Sequence, residues 1–293
     1  MSAYIPPSPP VDMVMSASWQ PIMTFIQVIP VVIALWLGVR RWLPKDLPLL
    51  AAIFVGGALT CLIEPITDRG SFVWFATKGM WVMFTTFDRP MPWFILPCYL
   101  WFIGGQVAYL IYRIRIGVTR GQLWRLYGIF IGLNLAMELP AIAAGIYAYY
   151  GPQPFEIAGL PLWFQAINSV TSLLAAAVVS YMWPRLRGWR KLVTPLILPC
   201  SHAITNAAAG WPVQTSLNTT DNMLVVNLTG LLTIGIAVGL AALAIAFLVR
   251  QSEIAAQRDD AASTADVVPP VLDSAVTESD SPATPSAPAA AAT

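Results

Sequence analysis

The sequence predicts an all-α integral membrane protein in which about seven helices cross the bilayer as a bundle. Hydrophobic residues make up 57% of the 293 residues and charged residues only 11%, whereas soluble proteins carry about 25% charged residues. Such a chain has too few polar side chains to cover the surface of an ordinary soluble domain. The 16 basic residues nearly balance the 15 acidic ones, so nucleic-acid binding is not indicated.

Seven apolar stretches have the length of about 20 residues that a membrane-crossing helix needs. They are residues 22–39, 48–65, 92–112, 124–149, 160–183, 191–210 and 223–249. Together they define a transmembrane domain over residues 21–250. An eighth apolar stretch, residues 71–85, is short, aromatic and interrupted by Lys78 and Gly79. This composition predicts an interfacial or re-entrant segment rather than a further crossing.

Lysine and arginine are distributed unevenly between alternate loops, which predicts an orientation. One side of the membrane holds Arg40, Arg41, Lys45, Arg113, Arg115, Arg120, Arg125, Arg185, Arg187, Arg190, Lys191, Arg250 and Arg258. The other side holds only Arg69, Lys78 and Arg89, all in the loop after the second span. Because cytoplasmic loops are enriched in these residues, we expect the amino terminus outside and the carboxyl terminus in the cytoplasm.

Both ends of the chain differ in composition from the transmembrane domain. Residues 1–20 contain several prolines and serines and are predicted to be mobile. Residues 251–293 consist largely of Ala, Pro, Ser, Thr and Asp. A segment with so few large apolar residues cannot bury enough surface to fold, so we expect a disordered cytoplasmic tail.

Polar side chains inside the predicted spans are candidates for function, because they are costly in hydrocarbon. Asn134 lies near the middle of the fourth span, and Glu138 lies about 6 Å further outward at 1.5 Å per residue. Glu64 lies near the outer end of the second span. The same outer half of the membrane is expected to contain Tyr99, Asn168, His202, Asn206 and Asn227. The sequence therefore predicts a polar pocket that opens outward.

Two pairs of these residues have the spacing of a single helix face. Asn134 and Glu138 are four residues apart, as are His202 and Asn206, so the members of each pair point the same way. We expect both faces to point into the bundle rather than towards lipid. The loop after the second span is expected to roof the pocket and to add Asp68, Trp74, Trp81 and Arg89.

Each candidate also has a purely structural interpretation. Glu138 would be either a catalytic acid or a neutral group that joins two helices by a hydrogen bond. Glu64 would be catalytic or simply solvated near the interface, and Asp68 would be catalytic or paired with Arg69. His202 is the only histidine of the chain, and both catalysis and structural pairing are consistent with its place in a span.

The sequence predicts neither a metal nor a cofactor. A retinal Schiff base needs a lysine in the last span, but the lysines are Lys45, Lys78 and Lys191. One histidine cannot form a His-rich iron site, and the three cysteines are too far apart for a metal motif or a disulfide framework. No HExxH, GxSxG or phosphate-binding glycine-rich loop is present. What remains is acid–base chemistry by carboxylic acids, with aromatic faces that stabilise a carbocation or an oxocarbenium ion.

Two runs of the sequence resemble a known family. They are GGALTCLIEPITDRG over residues 56–70 and WVMFTTFDRPMPWFILPCYLWFIGG over residues 81–105. They are similar to the AveC-type spirocyclase family of actinobacterial membrane proteins, whose members have an E-P-x-x-D segment at the end of a helix. An aromatic loop, an arginine- and proline-containing entry to the next helix and a Phe-x-Gly-Gly run follow in that family. The resemblance covers residues 50–250.

The resemblance implies a bacterial membrane enzyme that forms a spiroketal from a dihydroxy-ketone polyketide, sometimes with dehydration. It implies Glu64 and Asp68 as acid–base groups and Arg89 as a residue that positions the loop, whereas Glu138 and His202 come from the depth argument alone. The partner would be a lipophilic small molecule among membrane lipids. Three other interpretations stay open: a small membrane terpene cyclase that acts on an isoprenoid, a transporter or lipid-binding protein without catalysis, and a purely structural subunit.

Overall fold

The computed structural model describes residues 4–265, and in this part of the chain seven helices are long and apolar enough to cross a membrane. The predicted seven-helix, all-α membrane bundle is therefore confirmed. The helices are α1 (Trp19–Trp42), α2 (Leu47–Ser71), α3 (Ile95–Arg115), α4 (Arg120–Ala143), α5 (Leu162–Met182), α6 (Gly188–Ala209), the short α7 (Trp211–Thr219) and the last spanning helix α8 (Met223–Ala265).

Short antiparallel strands, which the sequence analysis did not predict, connect helices at one end of the bundle. They are β1 (Val73–Phe75), β2 (Val82–Thr86), β3 (Arg89–Pro92), β4 (Tyr147–Tyr149), β5 (Glu156–Ile157) and β6 (Leu160–Pro161). β1 pairs with β4, β2 with β3 and β5 with β6. We call this end of the bundle the strand end.

One prediction needs correction at the strand end, and one gains detail. The segment 71–85, predicted to be interfacial or re-entrant, contains β1 and most of β2, whose backbone groups pair with β4 and β3. The fourth span ends at Ala143 rather than at residue 149. Gly145 adopts a φ of +67° just after the helix, a conformation that commonly ends helices.

Helices α2, α3 and α6 contain local breaks near the candidate residues, and the break in α2 follows from the sequence. In α2 the segment Cys61–Ile63 is a 3₁₀ turn, because Pro65 has no N–H and its ring clashes with the carbonyl four residues earlier. The helix then resumes at Glu64, so the break lies directly before the first candidate carboxyl. Helices α3 and α6 contain π-helical turns at Leu100–Gly105 and Ile204–Ala209, a feature that is frequent at functional sites.

Helix α2 packs closely against two neighbours through small residues. A Cβ atom on Gly56 would lie 2.7 Å from the carbonyl oxygen of Pro195 in α6, and one on Gly57 would lie 3.2 Å from the backbone nitrogen of Gly104 in α3. Glycines at such positions allow helix backbones to approach each other in a membrane. This packing places α3, α2 and α6 side by side, and with them the segments that carry Tyr99, Glu64 and His202.

Both ends of the chain contain structure that bears on the predictions made for them. Within residues 1–20, which are predicted to be mobile, the Met15 amide donates to the Lys78 carbonyl at 2.8 Å and Met15 is 3% exposed. The Tyr4 hydroxyl likewise donates to the Leu217 carbonyl at 3.2 Å. At the other end, α8 continues to Ala265, which lies within the predicted disordered tail 251–293. Residues 266–293 of that tail lie outside the described residues.

We expect acidification to loosen the amino-terminal segment. Asp12 accepts a hydrogen bond from the Lys78 ammonium at 2.6 Å, and this bond lowers the pKa of Asp12. A carboxyl whose pKa is lowered on folding stabilises the fold above its unfolded pKa, and this stabilisation is lost as the pH falls through the folded value. Limited proteolysis of residues 4–18 is therefore expected to be faster at acidic pH. In Asp12→Asn the rate is expected to lose this pH dependence, and an unchanged dependence would contradict the assignment.

Candidate active site

A cavity lies inside the bundle near the strand end. Its polar lining residues are Gln27, Glu64, Asp68, Tyr99, Asn134, Glu138, Tyr147, Tyr149 and Asn168. Its apolar lining residues are Met23, Val73, Phe75, Phe94, Ile95, Cys98, Phe102, Met137, Ala141 and Phe164. The cavity has about 600 Å³ of free space including its mouth, but the centre of a water molecule fits in only about 60 Å³ of it. It is therefore a narrow cleft with room for one slender molecule.

Three carboxyl groups from two helices line this cleft. Glu64 and Asp68 lie one turn apart on α2, and Glu138 comes from α4. Asp68 and Glu138 are 1% and 5% exposed, while Glu64 is partly buried. Buried carboxyl groups without paired cations are rare in protein interiors, so three of them on one cavity indicate a functional site.

Tyrosine hydroxyls contact two of the three carboxyl groups. The Tyr149 hydroxyl donates to Glu138 Oε2 at 2.8 Å, and the Tyr99 hydroxyl is hydrogen-bonded to Glu64 Oε2. Burial, with the nearby Glu138 carboxyl, raises the pKa of Tyr149 well above its usual value. The Tyr149 hydroxyl therefore stays protonated at neutral pH and holds the Glu138 side chain in one orientation. Both oxygens of Asp68 lack a hydrogen-bond partner among the described residues.

His202 and Asn206 lie behind the cavity wall rather than on it. The His202 Nε2 atom is 3.1 Å from the Tyr99 hydroxyl, and Asn206 contacts the histidine ring and backbone. Both side chains are buried, with 2% and 1% exposure. The predicted pair is thus present on one face of α6, but it reaches the cleft only through Tyr99. His202 was predicted to act directly on a substrate, but its side chain does not line the cavity.

Two asparagine side chains add unpaired amide atoms to the cavity. Asn134 and Asn168 both line the cavity, as predicted, and Asn134 is fully buried. Neither amide atom of Asn134 has a hydrogen-bond partner in residues 4–265, and the same is true of the Asn168 oxygen. Leaving a buried polar atom unpaired costs about 1–3 kcal/mol. These amides are therefore available to bind oxygen atoms of a ligand.

The predicted loop residues occupy different places. Trp74 and Arg89 are buried in β1 and β3, where the Arg89 guanidinium lies 4.7 Å from the centre of the Trp74 ring. Arg89 also donates to the Tyr150 hydroxyl at 2.7 Å. This arrangement joins the strands above the cavity, but neither side chain lines it. The structure therefore gives them a supporting position and not the predicted direct contact with substrate.

Two predicted binding residues lie away from the cleft. The Trp81 side chain is 52% exposed, because its backbone, bound to the Gln20 side chain, enters β2 with the indole turned outward. Asn227 shares the predicted depth but is only half-buried on α8, whereas its neighbour Val226 is fully buried. Consecutive helical residues point about 100° apart. Depth along a helix did not reveal which side of α8 faces the bundle.

The sequence analysis missed Tyr147 and Tyr149. Both line the cavity from β4, a segment that the analysis assigned to the end of the fourth span. The alternation Tyr147-Ala148-Tyr149 was the available signal, since side chains two residues apart on a strand point to the same face. Within the described residues, no group of three or more His, Cys, Asp or Glu side chains could hold a metal ion.

Comparison with known proteins does not identify a family for this chain. No protein-family model, curated protein or solved structure matches the chain. The interpretation of the cavity therefore depends on its own geometry. It brings together proton donors and acceptors, unpaired amides and aromatic rings in a narrow space, and this combination suits acid–base chemistry on a largely apolar molecule.

Proposed function

We propose that this protein is a membrane-embedded, spirocyclase-like enzyme of a bacterial cell membrane. It would close a spiroketal ring, with or without dehydration, on a lipophilic polyketide-type substrate and without a cofactor. The observation that carries the proposal is the meeting of Glu64, Asp68 and Glu138 in one narrow cleft with aromatic walls. The resemblance of residues 56–70 and 81–105 to AveC-type spirocyclases supports it. The orientation with an outside amino terminus remains part of the proposal.

The proposed reaction needs only proton transfers. One substrate hydroxyl adds to the ketone and gives a hemiketal, and a carboxylic acid of the cavity protonates the hemiketal hydroxyl, which leaves as water. The second hydroxyl attacks the resulting oxocarbenium ion and loses its proton to a basic group. One water is released and no electrons are exchanged. A positioned acid or base accelerates such steps by about 10²–10⁴-fold.

The walls of the cavity provide complementary contacts for this substrate. Phe75 and Phe164 line the cavity, and aromatic rings stabilise a nearby cation through their faces. Asn134 and Asn168 offer unpaired amide atoms to substrate oxygens. The narrow shape would hold the chain in a folded conformation that brings the second hydroxyl to the cation, which lowers the entropic cost of ring closure.

A small membrane terpene cyclase is the second candidate, and the aromatic lining favours it. Phe75, Phe94, Phe102 and Phe164 line the same cavity as the carboxyl groups, an arrangement that suits a carbocation formed from an epoxide or alkene. A hydrocarbon chain would leave the amides of Asn134 and Asn168 unpaired, at a cost of about 1–3 kcal/mol for each group. This difference favours the oxygen-rich substrate.

The experiment is conversion of a synthetic long-chain dihydroxy-ketone by the purified protein in lipid nanodiscs, followed by chiral chromatography. We expect one spiroketal stereoisomer, formed faster than in empty nanodiscs. Glu156→Gln is the matched control, because Glu156 is an exposed glutamate of β5 and does not line the cavity; it should retain full activity. An epoxidised isoprenoid is tested in parallel. Recovery of both substrates unchanged would contradict an enzymatic function and favour transport or lipid binding.

A further inference from the structure

His202 is the only histidine of the protein and is buried outside the cavity. Its Nε2 atom lies 3.1 Å from the Tyr99 hydroxyl, with the two rings in an edge-to-face contact at 5.4 Å. The same hydroxyl is hydrogen-bonded to Glu64 Oε2. Tyr99 therefore connects a carboxyl group of the cavity to an imidazole that a substrate cannot touch.

The direction of this hydrogen-bond chain follows from the charges around Glu64. The ion pairs of the described residues are Lys78–Asp12 and Arg115–Asp46, so no Lys or Arg there pairs with Glu64. A buried carboxylate without a counter-ion is costly, whereas the neutral acid is not. A neutral Glu64 donates its proton to the Tyr99 oxygen. The single Tyr99 proton is then free to point at His202, whose Nε2 accepts it.

The surroundings of His202 favour a neutral ring. The Asn206 amide nitrogen donates to the His202 carbonyl at 3.1 Å, which fixes the orientation of the amide. The same nitrogen lies 3.3 and 3.4 Å from the two ring nitrogens, so it sits over the ring rather than at one edge. An N–H donor over a ring face is attracted to a neutral π system. A neutral imidazole with an unprotonated Nε2 can take up one proton.

We infer that His202 is the terminal proton acceptor of the cavity and acts as a positioning residue through Tyr99 and Glu64. This inference rests on the proposed function, in which the attacking hydroxyl must lose a proton. That proton moves to Glu64 Oε1, the Oε2 proton moves to the Tyr99 oxygen, and the Tyr99 proton moves to His202 Nε2. One O–H bond of the substrate breaks, one N–H bond forms, and Glu64 stays neutral. After the product leaves, the reverse sequence brings the proton back to Glu64, and Glu64 Oε1 releases it to the carboxylate that protonated the leaving water.

The relay also gives the carboxyl groups different roles in proton transfer. Glu64 and Tyr99 conduct a proton away from the substrate, so the proton that the leaving water needs must come from another acid. Glu138 lies on the same cavity and is held by the Tyr149 hydroxyl. Glu138 is the general acid of the relay scheme, because Tyr149 fixes its side chain, whereas the oxygens of Asp68 have no hydrogen-bond partner among the described residues. After one turnover its carboxylate and the His202 imidazolium carry opposite charges, and return of the proton neutralises both.

Nitrogen-15 NMR of the single histidine tests the relay without a substrate. The protein is labelled with ring-¹⁵N histidine, purified with a histidine-free tag and measured in nanodiscs. We expect one protonated ring nitrogen and an unprotonated, hydrogen-bonded Nε2. In Tyr99→Phe the Nε2 signal should move towards the position of a free unprotonated nitrogen. Glu64→Gln should leave it nearly in place, because the glutamine amide still donates to Tyr99.

Two spectroscopic results would overturn the inference. One is a proton on Nε2, or an imidazolium, in the resting wild-type protein, because such a nitrogen cannot accept the Tyr99 proton. The other is an Nε2 signal that Tyr99→Phe does not move. The first result is read from the wild-type spectrum, so this test does not depend on whether a variant folds. If the protein forms no product, the proposed function fails, but the spectrum would still show whether Tyr99 donates to His202. Failure of the proposed function and failure of the relay are therefore distinguishable.

Kinetics give the second readout where a substrate is converted. Tyr99→Phe and His202→Gln should each lower kcat by about 10²-fold or more, the usual contribution of a general base, with a much smaller change in KM. The double variant should be no slower than the slower single variant, because both changes interrupt one pathway. Independent effects that multiply in the double variant would contradict a shared relay.

Discussion

Replacing Glu138 by glutamine is expected to lower the rate of ring closure by about 10²–10⁴-fold, while the protein still folds. Glutamine has nearly the shape of a neutral glutamic acid, and its amide oxygen still accepts the hydrogen bond that Tyr149 donates to Glu138 at 2.8 Å. It has no carboxyl proton to give to the leaving hydroxyl. Product formation in nanodiscs at saturating substrate measures kcat directly.

The Glu64→Gln variant gives the companion measurement. It should also lose most activity, because an amide cannot pass a proton from the substrate to Tyr99. The exposed control Glu156→Gln carries the same chemical change outside the cavity and should match the wild type. Thermal unfolding of all three variants shows whether the fold is intact. Full activity of Glu64→Gln and Glu138→Gln in folded protein would remove the proposed acid–base chemistry.

Replacing Trp163 by alanine is expected to destabilise the protein by about 3–5 kcal/mol, the usual cost of removing a buried aromatic side chain. Trp163 is fully buried in the first turn of α5 and packs against Phe164, with ring centres 5.2 Å apart. Its indole N–H donates to the Gln153 side-chain oxygen at 3.3 Å, and Gln153 in turn donates to the Ser71 carbonyl at 3.0 Å. The variant therefore loses packing and a connection between α5 and the end of α2.

Unfolding monitored by near-UV circular dichroism in detergent measures this loss. Trp189→Ala is the matched control, because Trp189 is 75% exposed and its removal should change stability by less than about 0.5 kcal/mol. Trp163→Phe should lie between the two, since it keeps most of the packing and loses the hydrogen bond. Equal stability of Trp163→Ala and Trp189→Ala would show that the strand end does not depend on this contact.

The helices of this fold were predictable because hydrocarbon length is a strong constraint on sequence. Every predicted span corresponds to a helix, and the polar face of Asn134 and Glu138 points into the bundle as expected. The predicted position of Glu64 along its span also suggested that it lies near Glu138, and both residues line the same cavity. The position of a residue along a helix does not give the rotation of that helix about its axis. For that reason Asn227 was assigned to a cavity that it does not line.

The remaining differences come from contacts between distant parts of the chain. Pairing of β1 with β4 joins residues 73–75 to residues 147–149, and no local pattern in either segment specifies this partner. Tyr149 was therefore missed, although it binds Glu138. His202 lies beside Tyr99 and Glu64, but its separation from the cavity depends on the Tyr99 side chain of another helix. Such an intervening residue is visible only once the helices are packed.

Labelling with a hydrophobic carbodiimide measures whether Glu64 and Glu138 share one narrow cavity. This reagent forms bulky adducts with carboxyl groups in apolar surroundings. Because the centre of a water molecule fits in only about 60 Å³ of the cleft, one adduct should fill it. Intact-mass measurement counts the adducts per chain, and peptide mapping assigns them, with Glu64→Gln and Glu138→Gln as references that each lack one of the two glutamates.

If the carboxyl groups share the cavity, a labelled chain will carry one adduct, at Glu64, Glu138 or Asp68. Chains with adducts at both Glu64 and Glu138 will be much rarer than the product of the two single frequencies. In each variant the remaining glutamate should still be labelled. Chains that carry both glutamate adducts at the frequency expected for independent sites would show that Glu64 and Glu138 lie in two separate environments.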